Sequence, residues 1–175
     1  MAFLNVEIKA KCHDPSSVRE YLLSNKAEYK GLDEQTDTYF NVGKGRLKLR
    51  QGNIEINLIY YERPDEAGPK NSTFKLVKVE DVAGLKSVLT ESIGIKVIVK
   101  KSREIYYIGN VKFHIDTVPG LGSFVEIEAG NMLAGLSQQQ LQEQCDFYIA
   151  ALGIATEGMI HVSYSDMLLE KANEV

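Results

Sequence analysis

The chain has 175 residues, of which 44% are hydrophobic and 25% charged, and its 20 lysines and arginines against 24 aspartates and glutamates give a net charge of −4. This composition is typical of a soluble globular domain that can bury a core without metal or disulfide support. The acidic balance argues against a nucleic-acid or membrane-surface binder, and no apolar run is long enough to cross a membrane. We therefore expect one domain over residues 1–175, with neither nucleic acid nor a membrane as partner.

The start of the chain and its two cysteines indicate the cellular compartment. Met1–Leu4 leads directly into charged residues, so we expect no secretory apolar segment. Cys12 and Cys145 lie in unrelated contexts, and neither has a second cysteine or a histidine at zinc-ligand spacing. These features predict reduced thiols and a cytoplasmic protein.

The first half of the chain is predicted to contain strands and two helices. Phe3–Lys11 alternates apolar and polar residues, which is the pattern of a strand with two different faces. A helix should run from Asp14-Pro15, an N-cap followed by proline at the first helical position, to about Asn25. A second helix should run from about Asp81 to Gly94. Between these helices, strands are predicted at Asp37–Asn41, Gly45–Gln51, Ile54–Glu62 and Thr73–Val79.

The second half continues the same alternation of strands and helices. Strands are predicted at Ile95–Ile108, Val111–Val118 and Phe124–Ala129, with Gly109-Asn110 as the turn between the first two. Ser137 and Gln140 have the spacing of a capping box, so they predict a helix that ends at Gly153. A short C-terminal helix is predicted over Ser165–Lys171.

Charged side chains share one face in five of the predicted strands, because residues i, i+2 and i+4 point to the same side. A solvent-facing sheet is the simple alternative for any one strand. Across strands, however, cations and carboxylates are segregated, and clustered cations repel one another unless an anion lies between them. The sets that share a face are Glu7, Lys9 and Lys11; Arg46, Lys48 and Arg50; Lys101 and Arg103; His114 and Asp116; and Glu126 and Glu128.

A closed sheet would account for all five charged faces at once. If the strands curl into a barrel, the charged faces line its bore and the apolar faces pack against the helices. Charges enclosed in this way must be paired or must bind something. A triphosphate would satisfy the cations, and Mg²⁺ or Mn²⁺ would bridge it to the carboxylates.

Several motifs resemble one known superfamily. Asn5-Val6-Glu7-Ile8-Lys9 is similar to the ExExK signature of the CYTH superfamily, the triphosphate tunnel proteins. That superfamily includes class IV adenylyl cyclases, thiamine triphosphatases and inorganic triphosphatases, and the class IV cyclases are the most similar branch. Further motifs follow in the expected order: Gln35-x-Asp37-x-Tyr39-Phe40, Arg46-Leu47-Lys48-Leu49-Arg50, Lys101-x-Arg103, His114-Ile115-Asp116, Gly120-Leu121-Gly122-Ser123-Phe124-Val125-Glu126-Ile127-Glu128 and Ser163-Tyr164-x-Asp166-Met167-Leu168.

The resemblance implies an α+β fold, with an eight-stranded antiparallel closed barrel and helices packed outside it. It implies Mg²⁺ or Mn²⁺ as cofactor, with metal ligands at Glu7, Asp116, Glu126 and Glu128. Glu7, Lys9 and Arg103 are the expected catalytic residues. For two of the implied substrate-binding residues, Arg63 and Lys75, a solvated surface charge is an equal alternative. The full substrate-binding set is Lys9, Lys11, Arg46, Lys48, Arg50, Arg63, Lys75, Lys101 and Arg103.

The implied function is an enzyme that acts on ATP, thiamine triphosphate or tripolyphosphate, either as an adenylyl cyclase or as a triphosphatase. One departure from the signature leaves an alternative open. Asn5 replaces its first acidic residue, and an amide brings no charge to a metal site, so a non-catalytic module that binds nucleotide or polyphosphate is the second interpretation. A lipocalin-like barrel would instead require an apolar bore. The resemblance is also compatible with a homodimer.

Overall fold

The computed structural model describes residues 3–62, 69–132 and 134–174. The helices are α1 (Pro15–Ser24), α2 (Val82–Ile93), α3 (Gln138–Ala151) and α4 (Tyr164–Asn173). None of these described helices combines the length and apolar character that a membrane crossing requires. The strands are β1 (Phe3–Lys11), β2 (Glu28–Phe40), β3 (Arg46–Gln51), β4 (Ile56–Glu62), β5 (Lys70–Lys78), β6 (Ile95–Ile108), β7 (Val111–Val118) and β8 (Gly122–Gly130).

The strands form a closed antiparallel barrel in the order β1–β5–β4–β3–β2–β6–β7–β8. The pairing of β1 with both β5 and β8 closes the ring. In a ring of this order, β1 and β8 stand opposite β2 and β3 across the bore. The predicted α+β fold with an eight-stranded closed barrel and helices outside is therefore confirmed.

Part of the outer surface of the barrel packs against α1 and α3. Along β1, the alternate residues Val6, Ile8 and Ala10 are buried although they point away from the bore. The predicted packing of apolar strand faces against helices is confirmed by this layer. The layer also contains residues of the two helices and of β7 and β8, namely Val18, Leu22, Phe113, Ile115, Val125, Ile127, Leu141 and Cys145.

The helix starts follow the capping residues that the sequence supplies. The side chain of Asp14 accepts a hydrogen bond from the backbone N–H of Ser17 at 3.2 Å, at the start of α1. At the start of α3, Ser137 and Gln140 form the predicted capping box. Each device satisfies backbone N–H groups that have no partner within the helix.

The main difference from the predicted elements lies in β2, which begins at Glu28 and not at Asp37. Its first half lacks apolar alternation because its interior face carries Asp33 and Gln35, both buried. Asp33 accepts hydrogen bonds from the backbone N–H groups of Ile54 at 2.8 Å and of Glu55 at 3.1 Å. The buried face of this strand therefore supports a neighbouring turn through polar contacts, which a hydrophobic pattern does not detect.

The C-terminal segment runs along β1 and then covers one end of the barrel. The register of β1 with β5 ends at Glu7. Beyond that point, the backbone N–H of Ile160 donates to the carbonyl of Lys9 at 2.8 Å. The chain then enters α4, whose residues Met167 and Leu168 pack against an apolar cluster at the end of the bore.

Polar contacts hold α4 across this end. The guanidinium of Arg46, the first residue of β3, lies 2.7 Å from the carboxylate of Asp166. Lys171 donates to the carbonyl of Gly120 at 2.6 Å, in the turn between β7 and β8. The helix is thus fixed to strands on different sides of the barrel.

Candidate functional site

The barrel encloses a cavity of about 350 Å³. At the end away from α4, the cavity reaches Lys78 and Met132, which are both exposed, so it opens to solvent there. The wall from β4 and β5 includes the apolar side chains of Ile59, Phe74 and Leu76. Charged side chains line the remaining walls: Glu7, Lys9, Lys48, Arg50, Glu55, Lys101, Arg103, Lys112, Glu126 and Glu128.

The wall formed by β2, β3 and β6 is basic, and we call it the basic wall, made of Lys48, Arg50 and Lys101. These cations converge on Asp37, which is 0% exposed. Arg50 donates to both of its carboxylate oxygens at 2.9 Å, Lys101 to one at 2.7 Å, and the Lys48 ammonium lies 3.6 Å away. Arg50 also contacts Glu55 at 2.8 Å, but Glu55 is shared with Lys112. Positive charge therefore exceeds negative charge on this wall.

The ammonium of Lys101 is poised between its two protonation states near neutral pH. Burial lowers the pKa of Lys101 to about 7, although attraction to Asp37 opposes this shift and the nearby guanidinium groups of Arg50 and Arg103 add to it. An anion in the cavity would favour the charged form.

On the opposite side, β1 and β8 form the acidic wall, made of Glu7, Glu126 and Glu128. Glu7 pairs in register with Glu128, and Glu126 follows on the same face. Burial and then the negative charges of Glu126 and Glu7 raise the pKa of Glu128. Burial also opposes ionisation of Glu126, but the neighbouring His114 and the nearby cations lower its pKa. Clustered carboxylate oxygens of this kind fit a divalent cation, which would relieve their repulsion.

His114 of β7 lies beside the acidic wall and is 1% exposed. Its Nδ1 is 3.6 Å from Glu126 Oε1 and 3.9 Å from Glu128 Oε1, which are distances too long for hydrogen bonds. Burial and then the positive charge of Arg103 lower the pKa of His114 to about 3, so its ring is neutral at physiological pH.

Arg103 lies between the two walls, and its hydrogen bonds to Asp116 hold its side chain in place. It donates to both carboxylate oxygens of Asp116 at 2.7 Å, and its Nη2 is 3.7 Å from Glu126. The hydroxyl of Tyr164, the first residue of α4, donates to Asp116 at 2.7 Å. The same tyrosine ring lies 3.7 Å from the ammonium of Lys9. The helix that covers the barrel end therefore also contacts the charged site.

The structure brings most of the predicted site residues to the cavity, but not all of them. Lys11 is the exposed last residue of β1, and Lys75 is exposed on the outer face of β5. Arg46 pairs with α4, and Asp116 is buried behind Arg103. Arg63 lies outside the described residues. The predicted residues that line the cavity are Glu7, Lys9, Lys48, Arg50, Lys101, Arg103, Glu126 and Glu128.

Several charged or polar residues of the site were absent from the predicted set, among them Asp37, Glu55, Lys112, His114 and Tyr164. Lys112 and His114 share the face of Asp116, and Asp37 lies within a quoted motif, so strand parity was a sufficient signal for these three. Glu55 lies in the turn between β3 and β4, where no periodicity applies. Tyr164 belongs to the C-terminal helix α4. It lies at the bore because the folded chain places this helix at the end of the barrel.

Comparison with known proteins agrees with this architecture. A family model described as the CYTH domain matches residues 4–133, the greater part of the chain. A curated protein of Methanocaldococcus jannaschii, named "Putative adenylate cyclase MJ0240", is 28% identical over 174 residues, covering 94% of this chain and 98% of that protein.

Solved structures share the fold. The PH1012 protein of Pyrococcus horikoshii OT3 superposes with a TM-score of 0.78 at 21% identity, covering 93% of this chain and 98% of that one. The Pct1 RNA triphosphatase of S. pombe superposes with a TM-score of 0.50 at 12% identity, covering 93% and 86%. Since the family model covers most of the chain, including seven complete strands of the barrel and all of β1 but its first residue, the chain belongs to the CYTH domain family.

Proposed function

We propose that the chain is an enzyme that binds a triphosphate inside the barrel and acts on it together with a divalent cation. One observation carries this proposal: a basic wall and an acidic wall face each other across the cavity of the barrel. A triphosphate complexed with a cation has the charge distribution that complements this arrangement.

The basic wall would bind the phosphate oxygens. Arg50 offers a planar fork of N–H donors, and Lys48 and Lys101 offer point charges. All three share Asp37, so an incoming polyanion would meet positive charge that one carboxylate does not balance. The groups are already held in place, which reduces the free energy lost on ordering them.

The acidic wall would hold Mg²⁺ or Mn²⁺ through Glu7, Glu126 and Glu128. When bound, such a cation neutralises phosphate charge and promotes deprotonation of the attacking hydroxyl or water. We assign Asp116 to the orientation of Arg103, because its oxygens are occupied by Arg103 and Tyr164. Arg103, between the walls, and Lys9, beside Glu126 on the acidic side, would stabilise charge on the transferred group.

One experiment would distinguish between two reactions. In a cyclase the ribose 3′-hydroxyl attacks the α-phosphorus and pyrophosphate leaves. In a hydrolase water attacks the terminal phosphorus, the remaining diphosphate leaves, and the attacked group becomes orthophosphate. The name of the M. jannaschii relative supports the first reaction, and that of the S. pombe triphosphatase supports the second. Purified protein would be incubated with ATP, thiamine triphosphate and tripolyphosphate, with Mg²⁺ and Mn²⁺ in separate reactions.

We expect turnover of at least one of these triphosphates, and its loss in the variant Lys101→Met. The matched control is Lys100→Met, which removes a neighbouring lysine that is exposed on the outer face of the same strand. The absence of turnover with all three substrates and both cations would contradict the enzymatic proposal. Equal loss of activity in both variants would contradict the role of the bore.

Asn5 supports a second candidate function, a module that binds triphosphate without turning it over. This amide lines the cavity at the acidic wall, two residues before Glu7 on the same face of β1, and brings no charge. The variant Asn5→Glu separates the two functions. A rise in turnover favours an enzyme with a weakened metal site, whereas unchanged triphosphate affinity without activity favours a binding module.

A further inference from the structure

We infer that His114 is a ligand of the bound divalent cation beside Glu126 and Glu128, so that this site takes a transition-metal ion in preference to Mg²⁺. The inference rests on the proposed function only in that it places a divalent cation at the acidic wall. It adds a nitrogen ligand that neither the strand pattern nor the family resemblance assigned.

The three side chains are already arranged around one point. One potential ligand atom from each of His114, Glu126 and Glu128 lies within 4.8 Å of the others. His114 and Glu126 are direct register partners on β7 and β8, and Glu128 is the next residue on the same face of β8. All three line the cavity. Because they project from two paired strands, their spacing is set by the sheet and not by a loop.

His114 also has polar atoms that nothing nearby satisfies. Neither ring nitrogen has a hydrogen-bond partner within residues 3–62, 69–132 and 134–174. The cations on either side are engaged elsewhere, Lys112 by Glu55 and Arg103 by Asp116. A buried polar group without a partner is unfavourable, and most such groups in proteins are satisfied. A cation between the imidazole and the two carboxylates would satisfy the ring and the carboxylates together.

The chemistry of the donor set decides which cation is favoured. Mg²⁺ prefers oxygen ligands and gives up its water slowly, so an imidazole adds little to its binding. Imidazole is a good ligand for Zn²⁺, Co²⁺ and other later transition metals, and affinity rises from Mn²⁺ to Co²⁺ along the series. A site with one nitrogen and two carboxylates therefore discriminates against Mg²⁺ in a way that an all-carboxylate site does not.

The test uses the metal ions alone and the full chain. Mg²⁺, Mn²⁺, Co²⁺ and Zn²⁺ would be titrated into metal-free protein by calorimetry, with wild type and His114→Gln. We expect the transition metals to bind wild type more tightly than Mg²⁺, and His114→Gln to lose about tenfold or more of that affinity while its Mg²⁺ affinity stays the same. The double variant His13→Gln/His161→Gln, which removes the two exposed histidines, should bind as wild type does.

A second measurement leaves His114 intact, so it does not depend on the folding of a variant. In the double variant, His114 is the only remaining histidine. Pulsed electron paramagnetic resonance of its Mn²⁺ complex should show a ¹⁴N coupling that changes to a ¹⁵N coupling when the protein is made with [¹⁵N]histidine. Absence of a histidine nitrogen coupling, or equal affinities of wild type and His114→Gln for Co²⁺ and Zn²⁺, would overturn the inference.

These outcomes differ from a failure of the proposed function. If cations bind and a triphosphate is turned over, but neither the titrations nor the electron paramagnetic resonance spectra show a contribution from His114, only the inference is wrong. If wild type binds no divalent cation and turns over no triphosphate, the proposed function and the inference are both wrong.

Discussion

Asp37 is the shared ion-pair partner of three cations inside the barrel. It is fully buried, and burial alone would disfavour its charged form. Arg50, Lys101 and Lys48 nevertheless hold the pKa of Asp37 well below its ordinary value. Removing this carboxylate would leave three buried or half-buried cations without their common partner, and an unbalanced buried charge is strongly destabilising.

The variant Asp37→Asn, which keeps the shape of the side chain, should therefore lower the free energy of unfolding by about 3 kcal/mol or more. Tripolyphosphate should restore part of that loss, because it supplies the missing negative charge to the same cations. Urea denaturation with and without tripolyphosphate measures both effects. Glu34→Gln changes an exposed acid on the other face of β2 and should cost at most about 0.5 kcal/mol. A variant Asp37→Asn as stable as wild type would contradict the shared-carboxylate account.

The lowered pKa of Lys101 leads to a prediction about the pH dependence of triphosphate binding. Burial lowers the pKa of Lys101 to about 7, so above that pH the amine is mostly neutral. A bound triphosphate favours the ammonium form, and binding at pH 8 should therefore take up a proton, whereas binding well below pH 7 should not.

Calorimetry in buffers of different ionisation enthalpy measures this uptake. Lys101→Met should abolish it, and Lys100→Met should leave it intact. The lowered pKa of Lys101 also affects the stability of the fold. Between pH 7 and the ordinary lysine pKa, Lys101 binds a proton in the unfolded chain but not in the folded chain. This group therefore makes stability rise with pH across that window. Identical binding heats in all buffers at pH 8 would contradict the assignment.

At the scale of elements, the sequence predicted best those strands whose two faces differ most. The observed bounds of β1, β6 and β7 are the predicted ones. For β1 and β7, the reason is that one face packs apolar residues on helices while the other carries charge into the bore. The first half of β2 was missed because both of its faces are polar, and its partner β6 lies far away in sequence. Contacts made by Glu55 and Tyr164 depend on a turn and on a long-range return of the chain, which local periodicity does not encode.

The attachment of α4 through Arg46 can be tested at this scale. Removal of the ion pair with Asp166 by Arg46→Met should cost about 1 kcal/mol or less, since the pair is partly exposed. Amide exchange should then become faster in α4 while protection in the barrel strands stays the same.

The control for this prediction is Lys44→Met, which removes the more exposed pair of Lys44 with Glu62 and should leave exchange in α4 unchanged. Tripolyphosphate affinity gives a second readout. If Arg46 contacts the phosphates instead of anchoring the helix, its substitution will lower that affinity and leave the exchange of α4 as in wild type.

For the whole molecule, the important property is the separation of charge across the bore. Strand order alone places β1 and β8 opposite β2 and β3, and the same order converts local strand parity into two facing walls. Under the proposed function, cation and triphosphate would bind to opposite walls of one cavity and lie next to each other. Each should increase the affinity of the other, and the two effects must be equal by linkage.

We expect Mn²⁺ to raise the affinity for a nonhydrolysable ATP analogue by about tenfold, which is within the usual range of such couplings. Glu126→Gln should abolish most of this increase, whereas Glu170→Gln, a change of an exposed acid on α4, should not. Calorimetric titrations of the analogue with and without Mn²⁺ measure the coupling. The same increase in Glu126→Gln as in wild type would contradict a cation bound at the acidic wall.

The position of α4 has a consequence for how a substrate would enter the barrel and how products would leave it. With α4 lying across one end, the opening at Lys78 and Met132 is at the other end of the bore, and under the proposed function a triphosphate would enter there. Under the proposed function, the products of the reaction would leave by the same opening. A product bound near that opening would then dissociate before a product bound deeper in the bore.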